Sequence, residues 1–328
     1  MKTFEFHRAS SVEEALNYAA QPGARFLAGG TNLVDLMKCD VERPSAVVDI
    51  NRLDLSDIEP TPTGGVMIGA LATNTAVANH PLIRGKYPVL SHAILSGATT
   101  QIRNRATAAG NLMQRTRCRY FMDPALGVCN KRRPGSGCAA LAAHHREHAV
   151  FGASPSCVAV HPSDMAVALT SLDATIHIRG DGGVRTVGID DFFRLPGQRP
   201  DIDNAVRPGE LITGIELPAR SASRAGWYLK VRDRHSYAFA LVSVATVVEI
   251  RDGVVVDAAI ALGAVAATPW RVPAAEHLLR GNPPSRPVFE AAAAAALAGA
   301  QPLPHNGFKV DLGVHSVVRA LTSAAEAP

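Results

Sequence analysis

No apolar run in the 328-residue chain approaches the length needed to cross a bilayer, so a membrane-spanning protein is not expected. The N-terminus, MKTFEFHRASSVEEAL, lacks a basic-then-apolar export signal, because Glu5, His7, Glu13 and Glu14 interrupt it. On its own sequence the chain is expected in the cytoplasm, unless a partner carries it elsewhere. Cysteine is scarce: five residues, an odd count and too few for a disulfide scaffold of this size. Excess charge is small too, with 33 Lys and Arg against 29 Asp and Glu. That balance does not call for nucleic acid, and no RRM, KH or helix-turn-helix pattern accompanies the basic residues. There is no G-x-G-x-x-G fingerprint, no P-loop, and no Ser/His/Asp or paired-carboxylate arrangement for independent bond cleavage.

What is present is the composition of a folded soluble protein, 47% hydrophobic and 19% charged, long enough for two domains. The first hundred residues alternate strand and helix signals. Ser11 and Glu14 form a capping-box pattern ahead of a helix to Ala20. Ala46–Ile50 and Val66–Ala70 read as strands, and Ser163 caps a helix through Leu172. Ala174–Arg179 and Val184–Val187 form a hairpin across Asp181-Gly182-Gly183, and Leu211–Leu217 is a further strand. After a polar joint near Arg220–Arg224, three strands and three helices follow, ending at Ala325. The first part reads as an α+β or α/β layer arrangement, and a smaller C-terminal α+β domain begins near residue 223.

Two turns of small residues carry the chemistry. Phe26-Leu27-Ala28-Gly29-Gly30-Thr31-Asn32-Leu33 places two glycines between a strand and a helix, where bare backbone can lie against a phosphate. A second small-residue loop ends in Thr107-Ala108-Ala109-Gly110-Asn111. Together the two bends can clamp an extended diphosphate cofactor. Between them and the Ser163 helix, residues 113–160 break the rhythm and hold Cys118, Cys129, Cys138 and Cys157 in the spacing C-x10-C-x8-C-x18-C. A loop this long inside a domain is functional or disordered, and four cysteines favour function. Paired zinc knuckles and ferredoxin runs are absent, so spacing alone does not name a metal. Arg115, Arg117, Arg119, Lys131, Arg132 and Arg133 flank the cysteines and are expected to offset thiolate charge. Cys138–His148 looks continuously helical, with His144 and His148 at i,i+4 spacing and His145 between them, although a polar helix face explains those histidines better than a metal site. Cys39 is expected to be an inert thiol.

AGGTNLVDLMK, QIRNRATAAGNL and HPSDMAVAL, taken together, resemble the FAD-binding subunit of the molybdenum hydroxylases, a family that includes xanthine, carbon monoxide and aldehyde oxidoreductases. The resemblance runs over essentially the whole chain. It implies a two-part FAD-binding domain of the vanillyl-alcohol-oxidase/PCMH type over residues 1–222, with subdomains 1–55 and 56–222, and a C-terminal α+β domain over 223–328. It implies that Phe26 to Leu33 wrap the FAD pyrophosphate, that Thr107, Gly110 and Asn111 form the second wall, and that Asp164 bonds the ribityl or ribose hydroxyls. Ile212 and Lys230 match positions near the flavin. RTRCRYFMDP, CNKRRPGSGCAAL and SPSCVAVHPSDMAVAL resemble a subset, the periplasmic-type aldehyde oxidoreductases, whose flavin subunit carries an extra [4Fe–4S] cluster. Cys118, Cys129, Cys138 and Cys157 are then its expected ligands. The implied partners are a molybdopterin-binding large subunit, a [2Fe–2S] small subunit and an external electron acceptor. A twin-arginine signal on such a small subunit would carry the complex to the periplasm. The alternatives are the flavin subunit of a xanthine or other N-heterocycle dehydrogenase, a stand-alone flavin oxidase, and a zinc-stabilised interaction module.

Overall fold

The computed structural model describes residues 1–220 and 224–327, so the joint expected near Arg220–Arg224 and the boundary at 223 fall partly outside the described residues. Among the described residues no helix is long and apolar enough to cross a membrane. The strands Glu5–Arg8, Arg25–Leu27 and Ala46–Asp49 pair in parallel, with Ala46–Asp49 buried in the centre. The helix Val12–Ala19 between the first two strands starts where Ser11 predicts: its Oγ accepts from the Glu14 amide at 3.1 Å. The Glu14 carboxylate reaches back to the Ser10 amide at 2.7 Å, one residue before the usual capping-box partner.

A five-stranded antiparallel sheet follows, ordered Ile58–Pro60, Val66–Gly69, Leu211–Leu217, Thr175–Gly180, Gly183–Gly188. Its last two strands are the hairpin expected from the sequence. The helices Pro88–Ser96 and Asp164–Ser171 cover one side, and every residue from Met165 to Ser171 is buried.

The C-terminal sheet runs Trp270–Arg271, Val254–Gly263, Val242–Arg251, Arg224–Val231, all antiparallel. Val242 to Val248 are all buried, because the strand has partners on both faces. Val242, Val244 and Val248 pack toward the helices Arg286–Leu297 and Phe308–Ala325, while Ala245 and Val247 join the core that includes Leu90 and Leu169. That second contact brings the strand Arg224–Val231 and the loop after it up to the helix Asp164–Ser171.

The stretch 113–160 contains only short helices, Arg119–Met122, Pro124–Leu126 and Ala139–Ala142. The continuous helix expected over Cys138–His148 does not form. Its alanine-rich composition favours helix, but the chain turns at Ala143, where tertiary bonds prevail: the His144 amide donates to the Tyr120 hydroxyl at 2.9 Å, and that hydroxyl donates to the His144 carbonyl. His144 and His148 therefore do not form a helical metal pair. The segment ends threaded into the C-terminal domain, with Val150 and Phe151 amides donating to Val265 and the Gln301 amide donating to Val150.

Candidate functional site

The two small-residue bends meet. A Cβ added to Gly29 would lie 2.0 Å from the Arg105 carbonyl oxygen, so glycine is required for the first bend to lie flat on the second. Gly30 has φ +74°, which glycine adopts without strain. The two bends are thus adjacent at their bases and open together onto one cavity of about 610 Å³, where Thr31 and Asn32 come from the first and Gly110 and Asn111 from the second. Thr107 stands behind the second bend, its Oγ1 accepting from the Gly110 amide at 3.2 Å. Among the described residues, the amides of Gly29, Gly30, Thr31 and Asn32 have no backbone acceptor. Successive free amides in a turn of this kind suit an anion.

Among the described residues, five buried polar atoms on residues lining the cavity have no partner: Asn32 Nδ2, Asn74 Oδ1, Arg117 Nε, His148 Nδ1 and His161 Nε2. Orphaned buried groups are rare in folded proteins, and a long polar ligand in the cavity would give these a partner. Burial drives the His161 pKa down to about 4, so its ring is neutral at ordinary pH. These features fit FAD.

Asp164 and Lys230 also line the cavity, and they bond each other at 2.8 Å. The other Asp164 oxygen accepts from the Tyr228 hydroxyl at 2.7 Å. Burial and the Asp164 charge push the Tyr228 pKa up. A carboxylate has about four lone-pair directions. Two are taken here, which leaves capacity for a ligand hydroxyl. Ile212 lies in the core of the five-stranded sheet and does not line the cavity, and neither do Phe26, Leu27, Ala28, Gly29, Gly30, Leu33 and Thr107, of which Phe26 and Ala28 pack on the core beside the three-stranded sheet.

Cys118, Cys129, Cys138 and Cys157 converge on a second, smaller cavity, Cys129 and Cys138 lying opposite each other in a bridge. None is disulfide-bonded. Cys39 lies apart at the end of the helix Leu33–Lys38. Among the described residues no three His, Cys, Asp or Glu side chains gather around a single point as one zinc ion requires. The four thiols do line one common space. Lys131 lines that space too, and three of the flanking cations are paired with carboxylates. Arg115 bonds Glu42 at 2.6 Å and Asp203 at 2.9 Å, Arg117 bonds Asp35 at 2.6 Å, and the Lys131 ammonium pairs with Asp203. They tie the insertion to its surroundings. Burial raises the Cys118 pKa to about 12 and that of Cys157 above its usual value despite Lys131. A metal held by these two sulfurs would have to displace their protons.

The family model for the FAD-binding domain in molybdopterin dehydrogenase matches residues 2–220. The chain belongs to the FAD-binding subunits of the molybdenum hydroxylases. The CO dehydrogenase flavoprotein C-terminal domain matches residues 227–324 of this flavin subunit. The chain is 47% identical, over 99% of both chains, to the aldehyde oxidoreductase FAD-binding subunit PaoB of Escherichia coli. It is 29% identical to the glyceraldehyde dehydrogenase medium chain of Sulfolobus acidocaldarius, over 85% of this chain and 82% of that one. Among solved structures, the carbon monoxide dehydrogenase of Hydrogenophaga pseudoflava superposes with a TM-score of 0.78 at 26% identity, covering 99% of this chain and 98% of that one.

Asn74, His161 and Tyr228 were not singled out from the sequence. For Tyr228 a signal existed, since it lies two residues before Lys230 on the same strand and so on the same face. Asn74 carries no local mark, and His161, although it opens the HPSDMAVAL motif, shows no sign there of burial without a partner, which emerges only from the tertiary structure.

Proposed function

We propose that this flavin subunit serves a molybdenum-containing aldehyde oxidoreductase, assembled with a molybdopterin-binding large subunit and a [2Fe–2S] small subunit, and that its four clustered cysteines hold a [4Fe–4S] cluster. FAD, when bound, accepts electrons from the partners' centres and delivers them to an external acceptor. The chain's own residues place it: Thr31, Asn32, Gly110 and Asn111 face the diphosphate, and the Asp164–Lys230 pair faces a hydroxyl-bearing part. The observation that carries this reading is the opening of both glycine bends onto one cavity whose walls hold unpartnered amide groups. The 47% identity to an aldehyde oxidoreductase subunit, against 29% to a nicotinate dehydrogenase subunit from Eubacterium barkeri, favours an aldehyde over an N-heterocycle. Cofactor analysis of the purified complex is the test. FAD released on denaturation, with iron and sulfide beyond those of the [2Fe–2S] subunit, is expected. Cys129→Ser should lose that extra iron and keep FAD. Colourless protein refutes the flavin reading; zinc in place of iron in anaerobic preparations refutes the cluster alone.

A further inference from the structure

Among the described residues, one side chain forms a hydrogen bond to any of the four clustered sulfurs: His148 Nε2 lies 3.1 Å from Cys118 Sγ. The ring is only 4% exposed, and its other nitrogen, Nδ1, is buried without a partner. A neutral imidazole carries one N–H. Toward a deprotonated, cluster-bound Cys118 sulfur, which can only accept, the proton belongs on Nε2; a doubly protonated ring would donate there as well. A buried ring with one idle nitrogen is a costly choice unless the other nitrogen has a function.

The C-terminal domain fixes the ring from behind. The His148 carbonyl accepts from Lys309 Nζ and from Asn306 Nδ2, each at 3.0 Å. Lys309 Nζ also donates to the carbonyls of Glu147 at 3.0 Å and Ala264 at 2.8 Å, so its three protons are matched by three acceptors. Asn306 holds the next carbonyl, Ala149, at 3.2 Å and accepts from the Leu303 amide at 2.7 Å. Both side chains are fully buried. This is more anchoring than a loop on a protein surface needs, and it converges on one residue.

We propose that His148 is a positioning residue for Cys118, donating from Nε2 to the ligand sulfur so as to raise the reduction potential of the [4Fe–4S] cluster, and that Asn306 and Lys309 hold it in register. The inference rests on the cluster reading above. A hydrogen bond to a ligand sulfur draws charge from the cluster and stabilises its more negative, reduced level. Cys118 and His148 both also line the flavin cavity, so the bond lies in the wall the two sites share. Of the four cysteines, Cys118 is the one that lines both cavities.

The test uses the anaerobically purified complex, with iron, sulfide and FAD content measured beside a spectroelectrochemical titration of the cluster. His148→Phe, which removes the donor, is expected to keep its iron and become harder to reduce. At the poise where the wild-type cluster is half reduced, its reduced-to-oxidised ratio should drop about tenfold, which is about 59 mV for a one-electron couple. His148→Gln, which restores an N–H, should recover most of the shift. Pulsed EPR of the reduced wild-type cluster with 15N-histidine needs no variant, and should show one histidine nitrogen coupled to it. An unshifted potential in iron-replete His148→Phe, or no histidine coupling in the wild type, overturns the role of His148 and leaves the cluster standing. Absence of the extra iron from the wild-type complex overturns both.

Discussion

Residues 242–265 and residues 113–160 meet at Val265, yet they are held by different forces. The two long C-terminal strands bury nearly every side chain between helices on both faces, in a core that includes Val244, Val248, Ile260, Phe289 and Leu321. The cysteine insertion has little apolar interior of its own: Leu36, Phe121 and Cys129 form one small group, Tyr120, Ala140 and Val158 another. Its order comes instead from charged groups sunk into the fold. Lys131 and Arg115 share Asp203, and Lys309 reaches in from the last helix. Hydrophobic burial spreads stability over many contacts and loses a fraction when one is removed. A polar scaffold concentrates it, because each buried charge is tolerable only while its partner remains.

The largest expected effect tests that contrast directly. Asp203→Ala leaves the Lys131 ammonium and the Arg115 guanidinium without their shared carboxylate and should cost about 3–5 kcal/mol. Extra iron should be lost together with the drop in melting temperature. Leu321→Ala, in the C-terminal core, should cost about 2–5 kcal/mol with iron and FAD stoichiometry intact in the folded fraction. Equal iron loss in both variants would erase the distinction.

Acid gives the next largest effect. His161, at the end of the insertion, has its pKa pushed down to about 4, against about 6.5 when unfolded. The unfolded chain therefore binds the proton first, so stability is full above pH 6.5 and is lost as pH falls from 6.5 toward 4, by up to about 3 kcal/mol. His161→Gln should flatten melting temperature against pH across that window, and an unchanged slope would assign the acid sensitivity elsewhere.

Gly29→Ala is the smallest of the three and lies outside both regions. Its methyl group would collide with the Arg105 carbonyl and prise the bends apart. FAD affinity in equilibrium binding should fall at least about tenfold, roughly 1.4 kcal/mol, while iron content stays at the wild-type level.

Local signals explain what the sequence made legible. The strand Leu211–Leu217, the hairpin at Asp181-Gly182-Gly183 and the caps at Ser11 and Ser163 each depend on neighbours a few residues away, and each forms where its pattern places it. The glycine bends belong to the same class. The helix expected over Cys138–His148 failed because Tyr120, 24 residues from His144, outcompetes alanine's helical preference. The flanking cations were placed near the right cysteines, and Lys131 does lower the Cys157 pKa against burial, but their carboxylate partners were not foreseen, since Asp203 lies 72 residues from Lys131 and nothing near either marks the pair. Legibility declined with sequence separation, and the insertion is where long separations dominate.

Lys309 also sets an order of construction. Two of the three carbonyls it binds, those of Glu147 and His148, belong to a segment made midway through translation, while the ammonium arrives with the final helix, Phe308–Ala325. The middle of the chain must therefore wait for its end, and a ribosome-bound chain that has bent its glycine turns still lacks the clasp on its cysteine loop. The cluster proposed for that loop would then be delivered to the finished polypeptide.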